Sequence, residues 1–516
     1  MSSALERAGA YVRGLAGWRR LAFAWVAGLS SALGFAPFGL FPLLLFGFAA
    51  LVLLIDGAQT RPRPIRESAL AGFAFGFGQF FVGLHWIAYA FMVDSGAHEW
   101  QLPFVAVLFP GGLALLIALA AAAAAAFWRN GPSRIFTFTI CYAVAEWLRG
   151  HVLTGFPWNI AAYGWSASLS MLQSVALFGS YTLTLLTILL GASLAELCRP
   201  KPRWAIPSIM TTLFIFLWLG GEARLATLPT VDVPGVRLRL VQPNIPQAEK
   251  YQRRYVVRNW ERLLSLSVAP ATPPPNVLIW PEAAPPFLLT AQPVALDQIA
   301  MLTSRGRLLM TGAIRTEQGE DPHYYNSFFA FGRGGEPLAT YDKFHLVPFG
   351  EYLPYETTFD QLGLTKLTGI KGSFASGDGP HTYEVPGVPA FGPLICYEIL
   401  FPGAVVGERR PQWFVNVTDD SWFGPWAGPL QHLLAARVRA IEEGIPVART
   451  ANTGISAIID PLGRITARLG LDQQGVVDGN LPAAIAQTPY SRMRAVWFWL
   501  FAGVCGAFAW VFSKGK

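Results

Sequence analysis

What this sequence has least of is charge. Only 14% of its 516 residues are Asp, Glu, Lys or Arg and 53% are hydrophobic, whereas an ordinary soluble domain carries about 25% charge. The deficit is uneven. Residues 21–220 are almost bare of ionisable side chains, while 237–490 read as an ordinary soluble domain. This excludes a wholly soluble protein and points to a membrane protein with one large water-exposed domain. Cysteine is scarce too: Cys141, Cys198, Cys396 and Cys505 are the full set. Three lie in or beside apolar runs. Cys396 alone belongs to the soluble part, which therefore has no internal disulfide and carries an unpaired thiol. Signs of nucleic-acid binding are also lacking. The net charge of +7 arises from basic residues at the ends of apolar runs rather than from one patch, and no zinc-finger or helix-turn-helix pattern occurs. There is no metal-ligand cluster and no phosphate-binding loop, so neither metal nor cofactor is expected.

The apolar runs fall at roughly 20–35, 38–55, 69–92, 103–127, 135–150, 170–197, 205–221 and 496–512. Each is near the ~20 residues a bilayer requires, the first two being short. Pro37, Gly39 and Pro42 mark a tight turn between those two. The first run has the length of a signal-peptide core, but apolar sequence follows it at once, so a retained span is expected. Basic residues alternate from loop to loop. Arg7, Arg13, Arg19 and Arg20 precede the first span, Arg61, Arg63 and Arg66 follow the second, Arg129 and Arg134 the fourth, and Arg199, Lys201 and Arg203 the sixth. The basic loops, and both termini, are therefore expected to be cytoplasmic. An odd number of spans then places the soluble domain outside. The expected organisation is a transmembrane domain of about seven helices over 1–224, an outer domain over 225–490, and a last helix with its tail over 491–516.

Glu146 and Arg149 stand three residues apart at a span's outer end, on one helix face. Two readings are open: a structural ion pair among interfacial Trp anchors, or a site for a polar lipid head group. His85, in the third run, reads as a packed, hydrogen-bonded residue before it reads as a catalyst.

In the soluble half, strands alternate with helices and then give way to hairpins. Strands are expected at Val236–Asn244, Val277–Trp280, Arg307–Ile314, Tyr325–Phe331, Pro337–Asp342, Phe391–Cys396, Trp413–Val417, Pro446–Thr450, Ser456–Asp460 and Arg464–Arg468. Helices are expected at Lys250–Leu266, Leu296–Ser304 and Leu430–Glu443. The fold class is therefore α/β plus an all-α membrane part. Glu282, Lys343 and Cys396 each follow a strand end, where side chains of one sheet edge can converge on a ligand. Taken singly they are bland. A lone cysteine in an apolar run is ordinarily an inert core residue, and the other two are ordinarily solvated charges.

Trp280-Pro-Glu282, Tyr341-Asp-Lys343-Phe-His-Leu-Val-Pro-Phe-Gly-Glu351-Tyr-Leu-Pro and Cys396-Tyr-Glu398 together resemble the three motifs of the nitrilase, or carbon–nitrogen hydrolase, superfamily. With the flanking spans, Glu146–Asn159 and Asn416-Val-Thr-Asp-Asp-Ser-Trp422-Phe-Gly, the whole chain resembles the bacterial apolipoprotein N-acyltransferase family. The resemblance implies a nitrilase-like αββα sandwich inserted before the last of about eight transmembrane helices of the inner membrane, working on the periplasmic side; nothing in the sequence demands more than a monomer. It implies acyl transfer from a phospholipid donor to the N-terminal amine of a diacylglyceryl-cysteine apolipoprotein. Glu282 would be the base, Cys396 the nucleophile, and Lys343 a cation that lowers the thiol's pKa and stabilises the oxyanion. The Tyr397 N–H is a second oxyanion donor, and Glu351, Glu398 and, more weakly, Asn326 are supporting residues. Trp422 and Phe423, with the segment 344–372, either pack on the domain's own core or form a lid that keeps water from a thioester. Two other function classes share parts of this pattern: a membrane-anchored amidase passing its acyl group to water, and a non-enzymatic transporter with an outer sensor domain.

Overall fold

The apolar runs fold as helices, as they must where lipid leaves no other partner for backbone polar groups. The computed structural model describes residues 4–93, 99–317, 323–354 and 373–514. The chain divides into two units, Met1–Ala88 with Trp100–Leu228 and Thr488–Lys516, and Tyr89–Glu99 with Pro229–Gln487.

In the first unit, five helices among the described residues are long and apolar enough to cross a membrane: Phe41–Ala58, Glu99–Ala126, Val175–Cys198, Ala205–Thr227 and Val496–Lys514. Val175–Cys198 is almost wholly enclosed. Glu99–Ala126, Ala205–Thr227 and Val496–Lys514 instead turn large apolar side chains outward, among them Leu108, Leu119, Ile209, Phe216, Leu500 and Trp510. In water that surface would demand a partner; in lipid it has one. Helices Gly17–Ala32 and Pro64–Gly83 cross closely because Gly28 lies on the Phe75 carbonyl and Gly78 on that of Trp25. Two expectations are corrected. The third run ends its helix at Gly83, and His85 sits exposed in the turn beyond, its Nδ1 2.7 Å from the Val82 carbonyl. The sixth run is not one continuous helix from 170, because Gly179 (φ +83) interrupts it against the ring of Tyr490.

Glu146 and Arg149 are both buried. Arg149 donates to the two Glu146 carboxylate oxygens at 3.1 and 2.8 Å, and to the carbonyls of Phe156 and Trp158 at 2.6 and 2.8 Å. The guanidinium thus pins the loop after its helix, and the geometry favours the ion-pair reading over a head-group site. Arg149→Met leaves a buried carboxylate without its partner and is expected to cost about 3–5 kcal/mol. The measurement is the melting temperature of the detergent-solubilised protein. A head-group role would instead leave melting unchanged and weaken binding of the lipid.

The second unit is built from period-two alternation. Its strands are β1 (Asp232–Gln242), β2 (Val277–Ile279), β3 (Leu308–Glu317), β4 (His323–Phe331), β5 (Pro337–Asp342), β6 (Phe391–Ile395), β7 (Trp413–Thr418), β8 (Val447–Ala451), β9 (Ser456–Ile459), β10 (Ile465–Leu469) and β11 (Gly475–Pro482). They form a six-stranded sheet, β11-β1-β2-β3-β4-β5, and a five-stranded sheet, β10-β9-β8-β7-β6. One face of each meets the other: Leu238, Leu240, Ile279, Met310 and Phe328 pack on Ile395, Val415, Val417, Ala448 and Ile458. The alternate residues point away, as strand geometry requires. Leu278, Leu309 and Phe329 receive helices Val256–Ser267 and Pro293–Thr303, while Leu394, Phe414 and Val447 receive helix Ala427–Glu443. The result is an α/β sandwich with outer helices. Lys250–Leu266 is not the single helix expected. The chain makes short turns at Gln247–Lys250 and Arg253–Tyr255 first, with Lys250 buried. Strand β11 was absent from the expected set, since Gly475, Gly479 and Pro482 spoil its alternation. It is held by β1, where buried Arg239 makes two 2.8 Å bonds to the Asp478 carboxylate opposite it.

Candidate active site

Three strand ends supply the chemistry. Beyond β2, Glu282 is buried, and Gly312 on β3 lies so close that a Cβ there would stand 2.6 Å from the Glu282 Cα. Beyond β5, Lys343 is fixed by its own backbone, its N–H donating to the Asn326 carbonyl at 2.9 Å. Its ammonium reaches Glu282 Oε1 at 3.4 Å and Glu351 Oε2 at 2.9 Å. Asn326 Nδ2 bridges the same two carboxylates, at 2.7 and 2.8 Å. Glu351 in turn accepts the Val347 N–H at 2.8 Å, holding its loop in place. Beyond β6, Cys396 is 6% exposed and adopts φ +50. A side chain in that left-handed conformation costs on the order of 1–3 kcal/mol and persists only where the surroundings impose it.

Glu398 is one of those surroundings. One carboxylate oxygen accepts the Ile395 N–H at 2.7 Å, and the other accepts the Tyr341 hydroxyl at 2.7 Å and the Phe344 N–H at 2.9 Å. It therefore ties the cysteine-bearing turn to the lysine-bearing loop. Burial pushes the Glu398 carboxyl up to about 7, against the pull of these donors.

The electrostatics couple all three strand-end residues. Burial would discharge Lys343, but Glu351, Glu282 and Cys396 outweigh it and hold the ammonium above its ordinary value. Burial, aided by Glu351 and Asp419 and opposed by Lys343, raises Glu282. The expected influence of Lys343 on the thiol is present, since the ammonium lowers its value, but it is not the largest one. Burial and then the Glu282 charge push Cys396 well above its ordinary value, and Lys343 only moderates the rise. The direction of the shift favours the neutral thiol, and a thiol must lose its proton to act as a nucleophile.

Several contributors were not among the expected residues. Lys250 Nζ donates to Asp419 Oδ2 at 2.5 Å and to the Glu282 carbonyl at 3.2 Å, while the Asp419 N–H donates to Glu282 Oε2 at 2.8 Å. Asp420, His432 and Arg449 form a second buried group beneath Cys396. The quoted run through Trp422 contained both aspartates, but nothing in it distinguished them from turn residues. His432 lies in helix Ala427–Glu443 with no motif around it to mark it.

Cys396, Asp420 and His432 bring one ligand atom each within 4.8 Å of one another, a grouping that could hold a metal ion and that sequence spacing did not show. The donor set fits a cation poorly, since Asp420 already accepts from Arg449 Nη2 at 2.7 Å and from Thr418 Oγ1 at 3.0 Å. The Arg449 charge would also repel an ion there. Trp422 and Phe423 lie half-buried in the turn Asp420–Phe423, and Trp426 beyond them is exposed. Gly424 (φ +65) lies against the ring of Tyr89. Of the segment 344–372, residues 355–372 fall outside the described residues.

A carbon-nitrogen hydrolase family model matches residues 237–490, and an apolipoprotein N-acyltransferase N-terminal domain model matches 27–193. Among solved structures, an amidase from Nesterenkonia sp. shares 19% identity, with 52% of this chain covering 98% of that one at a TM-score of 0.35. The apolipoprotein N-acyltransferase of Rhodopseudomonas palustris is 43% identical over 493 residues, covering 92% of each chain. That of Bradyrhizobium diazoefficiens is 43% identical over 496 residues, covering 93% of this chain and 92% of its own. With the motifs at the strand ends, the apolar helices, and relatives this similar from end to end, the chain belongs to the apolipoprotein N-acyltransferase family.

Proposed function

We propose that this protein transfers an acyl chain from a membrane phospholipid to the N-terminal amine of a diacylglyceryl-cysteine apolipoprotein, through a thioester on Cys396. One observation carries the reading. A buried carboxylate and a buried ammonium, 3.4 Å apart, act electrostatically on a strained, strand-end cysteine in a chain whose other unit is made of apolar helices. Glu282 takes the thiol proton as sulfur attacks the ester carbonyl. The negative charge passes to the carbonyl oxygen, which the Lys343 ammonium and the Tyr397 N–H stabilise. The carbonyl re-forms, the lysophospholipid leaves as an alcohol with the proton from Glu282, and the acyl group stays on sulfur. The incoming amine repeats the sequence with Glu282 as its base, releasing the thiol. In this reading no metal or cofactor takes part. Eight spans hold a monomer in a bacterial inner membrane with both termini cytoplasmic and residues 225–490 periplasmic. Trp422 and Phe423 cover the thioester. An amidase would share Glu282, Lys343 and Cys396 but would need only one anchoring helix.

The experiment is incubation of the full chain in detergent with phospholipid carrying a radioactive acyl chain. The expected result is a labelled protein whose label is released by neutral hydroxylamine and is absent from Cys396→Ala. Addition of a diacylated lipopeptide moves the label to its amine, and Trp422→Ala loses label to water faster. No adduct, or release as free acid despite the lipopeptide, would overturn the assignment.

A further inference from the structure

The buried group beneath Cys396 has no part in the steps above. His432 lies on helix Ala427–Glu443 and is fully buried. Its Nε2 stands 3.1 Å from the Cys396 carbonyl oxygen, and its Nδ1 stands 2.8 Å from Asp420 Oδ1 and 3.1 Å from Arg449 Nη2. A carbonyl has no proton to give, so the hydrogen is on Nε2. With one proton, the ring accepts at Nδ1 from Arg449; with two, it donates there to Asp420. Nε2 donates to Cys396 in both forms.

The anchoring runs deep. Arg449, on β8, donates to Asp420 Oδ2 at 2.7 Å and to Asn416 Oδ1 at 2.5 Å, and Asn416, on β7, donates to the Leu394 carbonyl on β6 at 3.0 Å. Three adjacent strands thus hold the imidazole. The phenyl ring of Phe423 closes over it, with centroids 5.7 Å apart.

The oxygen that His432 grips belongs to the peptide joining Cys396 to Tyr397. In a trans peptide the C=O and N–H point in opposite directions. Binding the oxygen on the helix side therefore aims the Tyr397 N–H the other way. Drawing electron density toward that oxygen also makes the N–H a stronger donor, because linked hydrogen bonds polarise one another. We propose that His432, held by Asp420 and Arg449, is a positioning residue that orients and polarises the Cys396–Tyr397 peptide so that its N–H receives the oxyanion. The role rests on the acyl-transfer reading above, since an oxyanion forms only if Cys396 attacks a carbonyl.

The test compares two reactions of the same sulfur. Acylation from labelled phospholipid passes through an oxyanion; alkylation by iodoacetamide does not. His432→Leu is expected to slow adduct formation about tenfold to hundredfold, somewhat less than loss of a direct oxyanion donor, and to leave alkylation within about twofold. His432→Gln, whose side-chain amide can donate to the same carbonyl, is expected to restore much of the acylation rate. Equal slowing of both reactions would show that His432 merely holds the turn, and unchanged acylation would show that it does neither; each overturns the proposal. A wild-type protein that alkylates but forms no adduct would overturn the acyl-transfer reading itself, and the role of His432 with it.

Discussion

Glu282→Gln is expected to lower the rate of adduct formation from phospholipid by about 10³-fold or more, within the span seen when an acid–base group of a nucleophilic pair is removed. The substitution is nearly isosteric and keeps a carbonyl oxygen for the Asp419 N–H, which stands 2.8 Å from Glu282 Oε2. What it removes is a site for a proton. Because burial and then Glu282 hold the Cys396 thiol well above its ordinary value, the attack must shed that proton as it proceeds. Neither Lys343 nor Glu351 is suited to accept it. Lys343 is already charged, and Glu351 is engaged by Lys343 at 2.9 Å and by Val347 at 2.8 Å. The same substitution has an opposite effect on the thiol itself. Removing the Glu282 charge removes the second cause of the raised value, so the thiol in the variant ionises at lower pH. Alkylation by iodoacetamide as a function of pH should therefore shift toward lower pH while acyl transfer collapses. A variant that acylates within tenfold of the wild type would remove Glu282 from the role of base.

Lys343→Met is expected to abolish acyl transfer to a similar extent and to make stability fall more steeply with rising pH than it does in the wild type. The ammonium is the shared partner of Glu282, at 3.4 Å, and Glu351, at 2.9 Å. Removing it leaves two buried carboxylates facing each other across Asn326, a loss of about 3–5 kcal/mol when both are ionised. In the wild type, the raised Lys343 value gives stability that is fully present below the ordinary lysine value and is lost only as pH rises through the higher folded one. It therefore contributes no slope at neutral pH. In the variant Glu282, raised by burial and by Glu351, loses the cation that opposed the rise, so it keeps a proton in the folded state at pH values where the unfolded chain has lost it. Stability then falls as pH rises above the ordinary carboxylate value. Glu398, pushed up to about 7, adds a falling slope of its own below that pH in both proteins, so the quantity to measure is the difference in melting temperature between variant and wild type from pH 5 to 8. A constant difference would show that the two carboxylates do not depend on this cation.

How far the sequence could be read depended on the range of the interactions involved. Strands such as β4 and β5 follow from short-range alternation and the glycine-rich turn between them, and were expected within a residue or two of where they lie. Glu282, Lys343 and Cys396 were legible as residues after strand ends, and their motifs supplied the roles proposed for them. Lys250 was not legible, because the sequence around it reads as the start of a helix, whereas its ammonium turns inward to Asp419. β11 depends on Arg239 finding Asp478 from far along the chain. The balance at the thiol was only partly legible for a related reason. A neighbouring cation can be guessed from a motif, but the desolvation that outweighs it depends on how completely the two sheets close over the sulfur.

Glu398 has a mechanical consequence. β5 and β6 belong to different sheets, which pack through the apolar layer between them. A single carboxylate that grips the backbone on both sides of that layer acts as a rivet at its rim. Thermal sliding of one sheet over the other must then carry the ammonium and the sulfur along together, so the spacing that the chemistry depends on is insulated from the breathing of the fold.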